Sequence, residues 1–179
     1  MISLDDRQWK EFKIGDVFNV SGTITTHPTA LISGGQTPRI TCAATNNGFD
    51  NAYYNAPTEK GGVLTIDSAT VGYVSYQPID FIATDHVEKI SMKDGNKINR
   101  FVGLFLTLVI SSATAEKYGY GYKFSQTRIK RQSILLPVDS DNNLDWQFMS
   151  DYMRAHENKL IVRYRQYLEN IKTPPPNKL

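Results

Sequence analysis

The sequence predicts an α+β protein: a mostly β body with short helices packed on it, followed by one long C-terminal α-helix able to form a coiled coil. Three observations carry this. Short β-branched and aromatic runs, Val63-Leu-Thr-Ile66, Val71-Gly-Tyr-Val-Ser-Tyr76 and Asp80-Phe-Ile-Ala-Thr84, are divided by Gly, Pro and Asp and spaced as strands of one curled sheet. Asn99 to Ala115 is apolar enough, and long enough, for a helix lying on that sheet. From Leu144 to Ile171 an apolar repeat of three and four persists; an ideal helix of that span extends roughly 40 Å, so part of it is expected to project beyond the body.

Taken in order, Trp9 to Phe18 places Trp9, Phe12, Ile14, Val17 and Phe18 as an opening strand and turn on the core. Ser21 to Pro28 is small and hydroxyl-rich, as suits an exposed loop, and Ser33-Gly-Gly35 reads as a turn. In Gln36 to Gly48, Arg39 and Thr41 alternate with Ile40 and Cys42, so both polar side chains face one way from a strand that ends in the turn Asn46-Asn-Gly48. Lys117-Tyr-Gly-Tyr-Gly-Tyr-Lys-Phe124 and Arg128, Lys130 and Arg131 form a positive stretch without a carboxylate. Ile134-Leu-Leu-Pro-Val138 feeds the long helix, and acidic residues before it suit capping and the helix dipole. The expected boundaries are a body over 1–143, the helix over 144–173 and a Pro-rich flexible tail over 174–179.

Composition narrows the function. A chain of 179 residues with 40% hydrophobic residues supports one folded body, and its net charge of +2 is too mild to imply a nucleic-acid partner unless it is clustered. One cysteine, Cys42, excludes an internal disulfide and suits a buried thiol in a reducing cytoplasm. No signal peptide or membrane-length apolar run is present. His27, His86 and His156 are far apart in sequence, so no metal site is expected, and Glu11-Phe-Lys13 lacks the upstream acidic partner of a nuclease metal site. There is no phosphate-binding loop, no cofactor glycine loop, no Asn/Asp-Pro-Pro-aromatic segment and no nucleophile–base set. No cofactor and no catalysis are therefore expected of this chain.

The order of signals, from Trp9–Phe18 through Gly35-Gln-Thr-Pro-Arg-Ile-Thr41, Asn46-Asn-Gly48, Gly72-Tyr-Val-Ser-Tyr76, Phe81-Ile-Ala-Thr-Asp85 and the Tyr-Gly segment to Ile134–Val138 and Asp145-Trp146, resembles the DNA specificity domain of type I restriction-modification systems over residues 7–171. The resemblance implies a target recognition domain that reads a short half-site of double-stranded DNA. It also implies a spacer helix that pairs with a second one, flanked by methyltransferase subunits and, in the complete system, a restriction subunit. With one domain and one helix where a full specificity subunit has two of each, the chain is expected to act as a half subunit, as a homodimer or with another specificity chain. The helix face expected to pair comprises Met149, Met153, Leu160, Ile161, Tyr164, Leu168 and Ile171.

Phosphates call for dispersed Lys and Arg, whereas base edges call for forked or amide groups on a rigid platform. Lys60, Lys117, Lys123, Arg128 and Lys130 are the phosphate candidates. Thr23, Thr25, His27, Arg39, Thr41, Asn46 and Asn47 are the groove candidates. Tyr118, Tyr120 and Tyr122 suit either DNA contact or loop packing. The alternative is an assembly module that uses the long helix without reading DNA.

Overall fold

A computed structural model of the chain describes residues 2–172; residue 173 of the expected helix and the tail expected over 174–179 lie outside the described residues. The fold is mixed α+β, with the long C-terminal helix. The chain opens with β1 (Gln8–Lys13), a single helical turn α1 (Ile14–Val17) and β2 (Phe18–Gly22). The expected opening strand and turn are β1 and α1, and the chain then continues directly into a second strand. Ile14 N–H donates to Gln132 O at 2.9 Å, and the turn carries the chain from one sheet to another. β1 pairs antiparallel with β9 (Ser133–Val138), whereas β2 pairs with β8 (Val87–Met92).

The strands do not form one sheet. β2 and β8 continue into β5 (Val63–Asp67) and β6 (Val74–Gln77), in the order β2-β8-β5-β6, all antiparallel. β3 (Ser33–Ile40), β4 (Phe49–Tyr53) and β7 (Ile82–Ala83) form a separate sheet in the order β4-β3-β7. The strand expected over Asp80–Thr84 shrinks to two residues and pairs parallel with β3. Pro78 offers no N–H to continue β6, Asp80 is drawn to Gly61 N–H and Lys60, and Phe81 exchanges backbone hydrogen bonds with Glu59. Ser33-Gly-Gly35, expected as a turn, lies inside β3, beside a register shift against Tyr53. Gly35 is needed there for close approach, because a Cβ would fall 2.1 Å from the Tyr53 backbone.

Alternation along the four-stranded sheet sends Phe18, Val20, Leu64, Ile66, Val74, Tyr76 and Ile90 to the main core. On that face lies α2 (Arg100–Thr114), whose Val102, Phe105, Leu106 and Ile110 recur at helical spacing. Asn99 caps it, accepting from Val102 N–H at 3.0 Å. Gly103 lets α2 approach β6, since a Cβ would stand 2.3 Å from the Tyr76 ring. α3 (Gln126–Arg131) buries Ile129 in the same core.

The last element is α4 (Trp146–Lys172), begun by Asp145, which accepts from Phe148 N–H at 2.8 Å. Its two halves differ. Phe148 and Met149 are buried, Tyr152 meets Phe105 edge-on at 6.1 Å, and Met153 packs against the main core. Met149 and Met153, expected on the pairing face, therefore belong to the helix's own anchor; full burial of such a side chain stabilises by roughly 1.5–3 kcal/mol, which a free pairing face would forgo. Arg100 pairs with Glu157 at 2.5 Å, and every residue from 158 to 171 is exposed. Leu160, Ile161, Tyr164, Leu168 and Ile171 lie on this projecting half. Among the described residues no helix is long and apolar enough to cross a membrane.

Candidate nucleic-acid interface

The outer face of the four-stranded sheet is divided. Val63 and Val87 point away from the main core and meet Ile40, Phe81 and Ala83 in a second, smaller core, which seats the β3-β4-β7 sheet over part of that face. The loops expected to read base edges gather here, and most of their polar atoms are already engaged. Thr23 Oγ1 donates to Val87 O at 2.9 Å, Thr25 bridges to Ala83, and His27 accepts from Thr29 N–H. Arg39 pairs with Asp50 through Nη1 at 2.9 Å, and its buried Nε has no hydrogen-bond partner among the described residues. Thr41 Oγ1 donates to Gly48 O at 3.1 Å; Asn47, at φ 57°, donates through Nδ2 to Tyr76 O at 2.9 Å. Asn46, at φ 51°, donates to Phe49 O at 3.3 Å. Cys42 lies between these loops, its thiol on the carbonyl of His86 at 3.3 Å, and burial with the nearby charges of Asp67 and Asp85 pushes it up to about 12.

The Tyr-Gly segment is anchored on the main core, to which Phe124 belongs and against which Tyr118 packs. A tight turn joins Gly119 and Tyr122 through reciprocal backbone hydrogen bonds. Tyr118 is a packing anchor: its ring stacks on Phe124 at 4.2 Å and on Tyr122 at 5.7 Å, and its hydroxyl donates to Gln132 Oε1 at 3.0 Å. Lys117 donates to the same oxygen at 2.8 Å. The Arg128 guanidinium lies 3.7 Å from the centre of the Tyr122 ring and donates to Lys123 O at 2.6 Å. Tyr120 is 85% exposed, with Lys123 near its ring. None of Lys117, Lys123, Arg128, Lys130 and Arg131 makes an ion pair among the described residues.

The outer face of β2 and β8 is open. A groove of about 720 Å³ runs over Asn19 and Ser21 of β2, Lys89 and Ser91 of β8, then Lys93 and Lys130. It shares Lys89 and Ser91 with a second groove of about 330 Å³ lined by Lys60, Asn96 and Lys97. The two form one trough with five lysines. Lys60 pairs with Asp80 at 2.9 Å and Lys89 with Glu59. Gly61 N–H and then Lys60 hold the Asp80 carboxyl below its usual range. Lys93 donates only to a carbonyl, Asp16 O, at 2.7 Å, and Lys97 and Lys130 have no ion pair among the described residues. Lys93, Lys97 and Lys130 thus make no ion pair among the described residues, while the charge of Lys97 also helps to hold the Asp80 carboxyl down.

Lys60 and Lys130, singled out from the sequence, fall on this trough, whereas Lys117 and Lys123 lie on the Tyr-Gly side. Sequence reasoning missed Lys89, Lys93 and Lys97. For Lys89 the signal was the alternation of Lys89 and Ser91 with Ile90 and Met92, matched by Asn19 and Ser21 against Phe18 and Val20 across the register; Lys93 and Lys97 lie past the end of β8 and carried no such signal. Among the described residues no group of three or more His, Cys, Asp or Glu is placed to hold a metal ion.

A small, mostly antiparallel body with a basic trough on its sheet face, carried on a half-projecting helix, defines the class: a binding domain joined to a spacer. The description of the type I restriction modification DNA specificity domain matches residues 6–163, and the chain belongs to that family. It is 34% identical over 164 residues to the specificity subunit S.BcgI of a type II restriction enzyme from Heyndrickxia coagulans, covering 90% of this chain and 47% of that one. Its fold is similar to that of the S subunit of a type I restriction-modification system from M. genitalium, at a TM-score of 0.57 and 10% identity over 96% of this chain and 44% of that one. The HsdS subunit from Thermoanaerobacter tengcongensis is similar at a TM-score of 0.59 and 12% identity, over 88% and 39%. The chain spans about half the length of these relatives or less.

Proposed function

We propose that the chain reads a short half-site of duplex DNA as the specificity component of a restriction-modification system, in the cytoplasm, and places methyltransferase and restriction partner subunits on it. Catalysis belongs to those partners. The observation that carries the reading is the trough: Lys93, Lys97 and Lys130, none in an ion pair among the described residues, line the open sheet face, as a phosphate track requires, with amide and hydroxyl side chains on its floor. The loops around Thr23–His27 and Asn46–Asn47 stand beside it on a rigid sheet and are the groove readers. Lys117, Tyr120, Lys123 and Arg128 supply the opposite border.

The projecting half of α4 pairs with a second specificity helix through Leu160, Tyr164, Leu168 and Ile171, large apolar side chains that are exposed among the described residues. Spacing between two half-sites is then set by helix length. The test is binding of the purified chain, with and without its methyltransferase, to a random duplex library at two salt concentrations, with sedimentation across concentration on the same samples. The expected result is salt-dependent binding with an enriched motif and a concentration-dependent dimer; no salt dependence and no enriched motif would sink the DNA reading, and a monomer at every concentration the self-pairing.

A further inference from the structure

The residue that joins the trough to the reading loop is Glu59. Its carboxylate is 3% exposed, and each oxygen has one partner: Oε1 accepts from Ile24 N–H at 2.6 Å, and Oε2 receives the Lys89 ammonium. Its backbone is fixed independently, through the reciprocal hydrogen bonds with Phe81. Ile24 is the second residue of the loop that carries Thr23, Thr25 and His27, and Lys89 is the lysine shared by both halves of the trough. One buried carboxylate therefore fastens a loop on one side and neutralises the middle of a phosphate track on the other.

Resting on the duplex-DNA reading, we propose that Glu59 is a positioning residue with two separable effects. It holds the Thr23–His27 loop in its reading position, and it withholds Lys89 from phosphate. A buried carboxylate keeps its cation strongly, because removal of either partner leaves an uncompensated charge out of water. The phosphate count is thereby set by Lys93, Lys97 and Lys130, and sequence-independent affinity is held down relative to base reading, which raises discrimination.

Glu59→Gln separates the two effects. The amide oxygen still accepts from Ile24 N–H, while the amide N–H₂, itself a donor, repels the Lys89 ammonium into the trough. The expected result is a plot of log affinity against log salt steeper by about 0.9, one added phosphate contact, with the enriched motif unchanged. Adding Lys89→Met to that variant returns the slope to the wild-type value. Glu59→Ala also leaves Ile24 N–H unpaired, and discrimination against single-base mismatches falls on the order of tenfold.

A purely structural role would lower the melting temperature and weaken all variants without moving the slope. An unchanged slope in Glu59→Gln overturns the withholding of Lys89; an unchanged mismatch penalty in Glu59→Ala overturns the loop positioning. Should Glu59→Ala not fold, the slope and motif of Glu59→Gln, with and without Lys89→Met, decide. Loss of salt-dependent binding already in the wild-type chain is a different result, and it removes the duplex reading and this inference with it.

Discussion

The loop region over β3 and β7 and the open trough over β2 and β8 are both polar, and they treat their polar side chains in opposite ways. In the loops, Thr23, Arg39, Thr41, Asn46 and Asn47 each meet a carbonyl or carboxylate of the chain itself. In the trough, Lys97 and Lys130 make no ion pair among the described residues, and Lys93 reaches only a carbonyl. The difference follows from position: polar residues in and beside the turns bond the backbone that closes them, whereas Lys93 just past β8, Lys97 in the loop before α2 and Lys130 on α3 are exposed side chains with no carboxylate within ion-pair distance among the described residues. Base reading on such loops depends on rigid carriers, and attraction depends on the unengaged charges.

Removing those charges is expected to have the largest effect on binding. The triple variant Lys93→Gln, Lys97→Gln and Lys130→Gln is expected to flatten the salt dependence by about 2.7 in log–log slope and to weaken duplex binding on the order of several hundredfold at 0.1 M salt. Its melting temperature is expected to stay close to wild type, since exposed lysines without ion pairs contribute little to stability. A triple variant that binds with the original slope would place the phosphate track elsewhere.

The loop region responds in the other currency, stability. Asn47→Ala deletes the bond to Tyr76 O and puts a side chain at φ 57° that gains nothing there. The expected loss is about 1–3 kcal/mol in a denaturant melt, with binding at low temperature weakened far less than by the lysine substitutions. If stability is unchanged, the turn is not fastened to β6.

Much of this architecture was legible locally. The 3.6-residue pattern over Asn99–Ala115 corresponds to α2 within a residue at each end, with Asn99 as its cap, and the run from Leu144 became α4. The anchoring of Met149 was not legible, because periodicity shows that a helix has an apolar face and not which neighbour covers it. The division into separate sheets was also hidden: strand pairing joins residues as distant as Phe18 and Met92, and β8, Val87-Glu-Lys-Ile-Ser-Met92, has too few β-branched residues to stand out. For the same reason Lys60 and Lys130 could be read as basic residues but not as two parts of one trough with Lys93 and Lys97 between them.

Cys42 gives the finest test of how closed the loop region is. Its thiol donates to Asp85 O and His86 O, and burial, then the charges of Asp67 and Asp85, push its pKa up to about 12 from 9.0. A raised thiol pKa means that the folded state favours the neutral form. The contribution to stability is therefore fully present below about pH 9 and is lost as pH rises from there through the folded value. At pH 8 the thiolate needed for alkylation is scarce, and iodoacetamide is expected to modify the folded chain far more slowly than the unfolded one. Unlike the lysine variants, Cys42→Ser keeps a donor in place and is expected to change stability by less than about 1 kcal/mol while leaving the salt slope unchanged. Labelling of the native chain at the rate of a free thiol would mean that the Cys42–His86 contact opens readily, and the contrast between an engaged loop region and an unengaged trough would then fail at the point where the two loops meet.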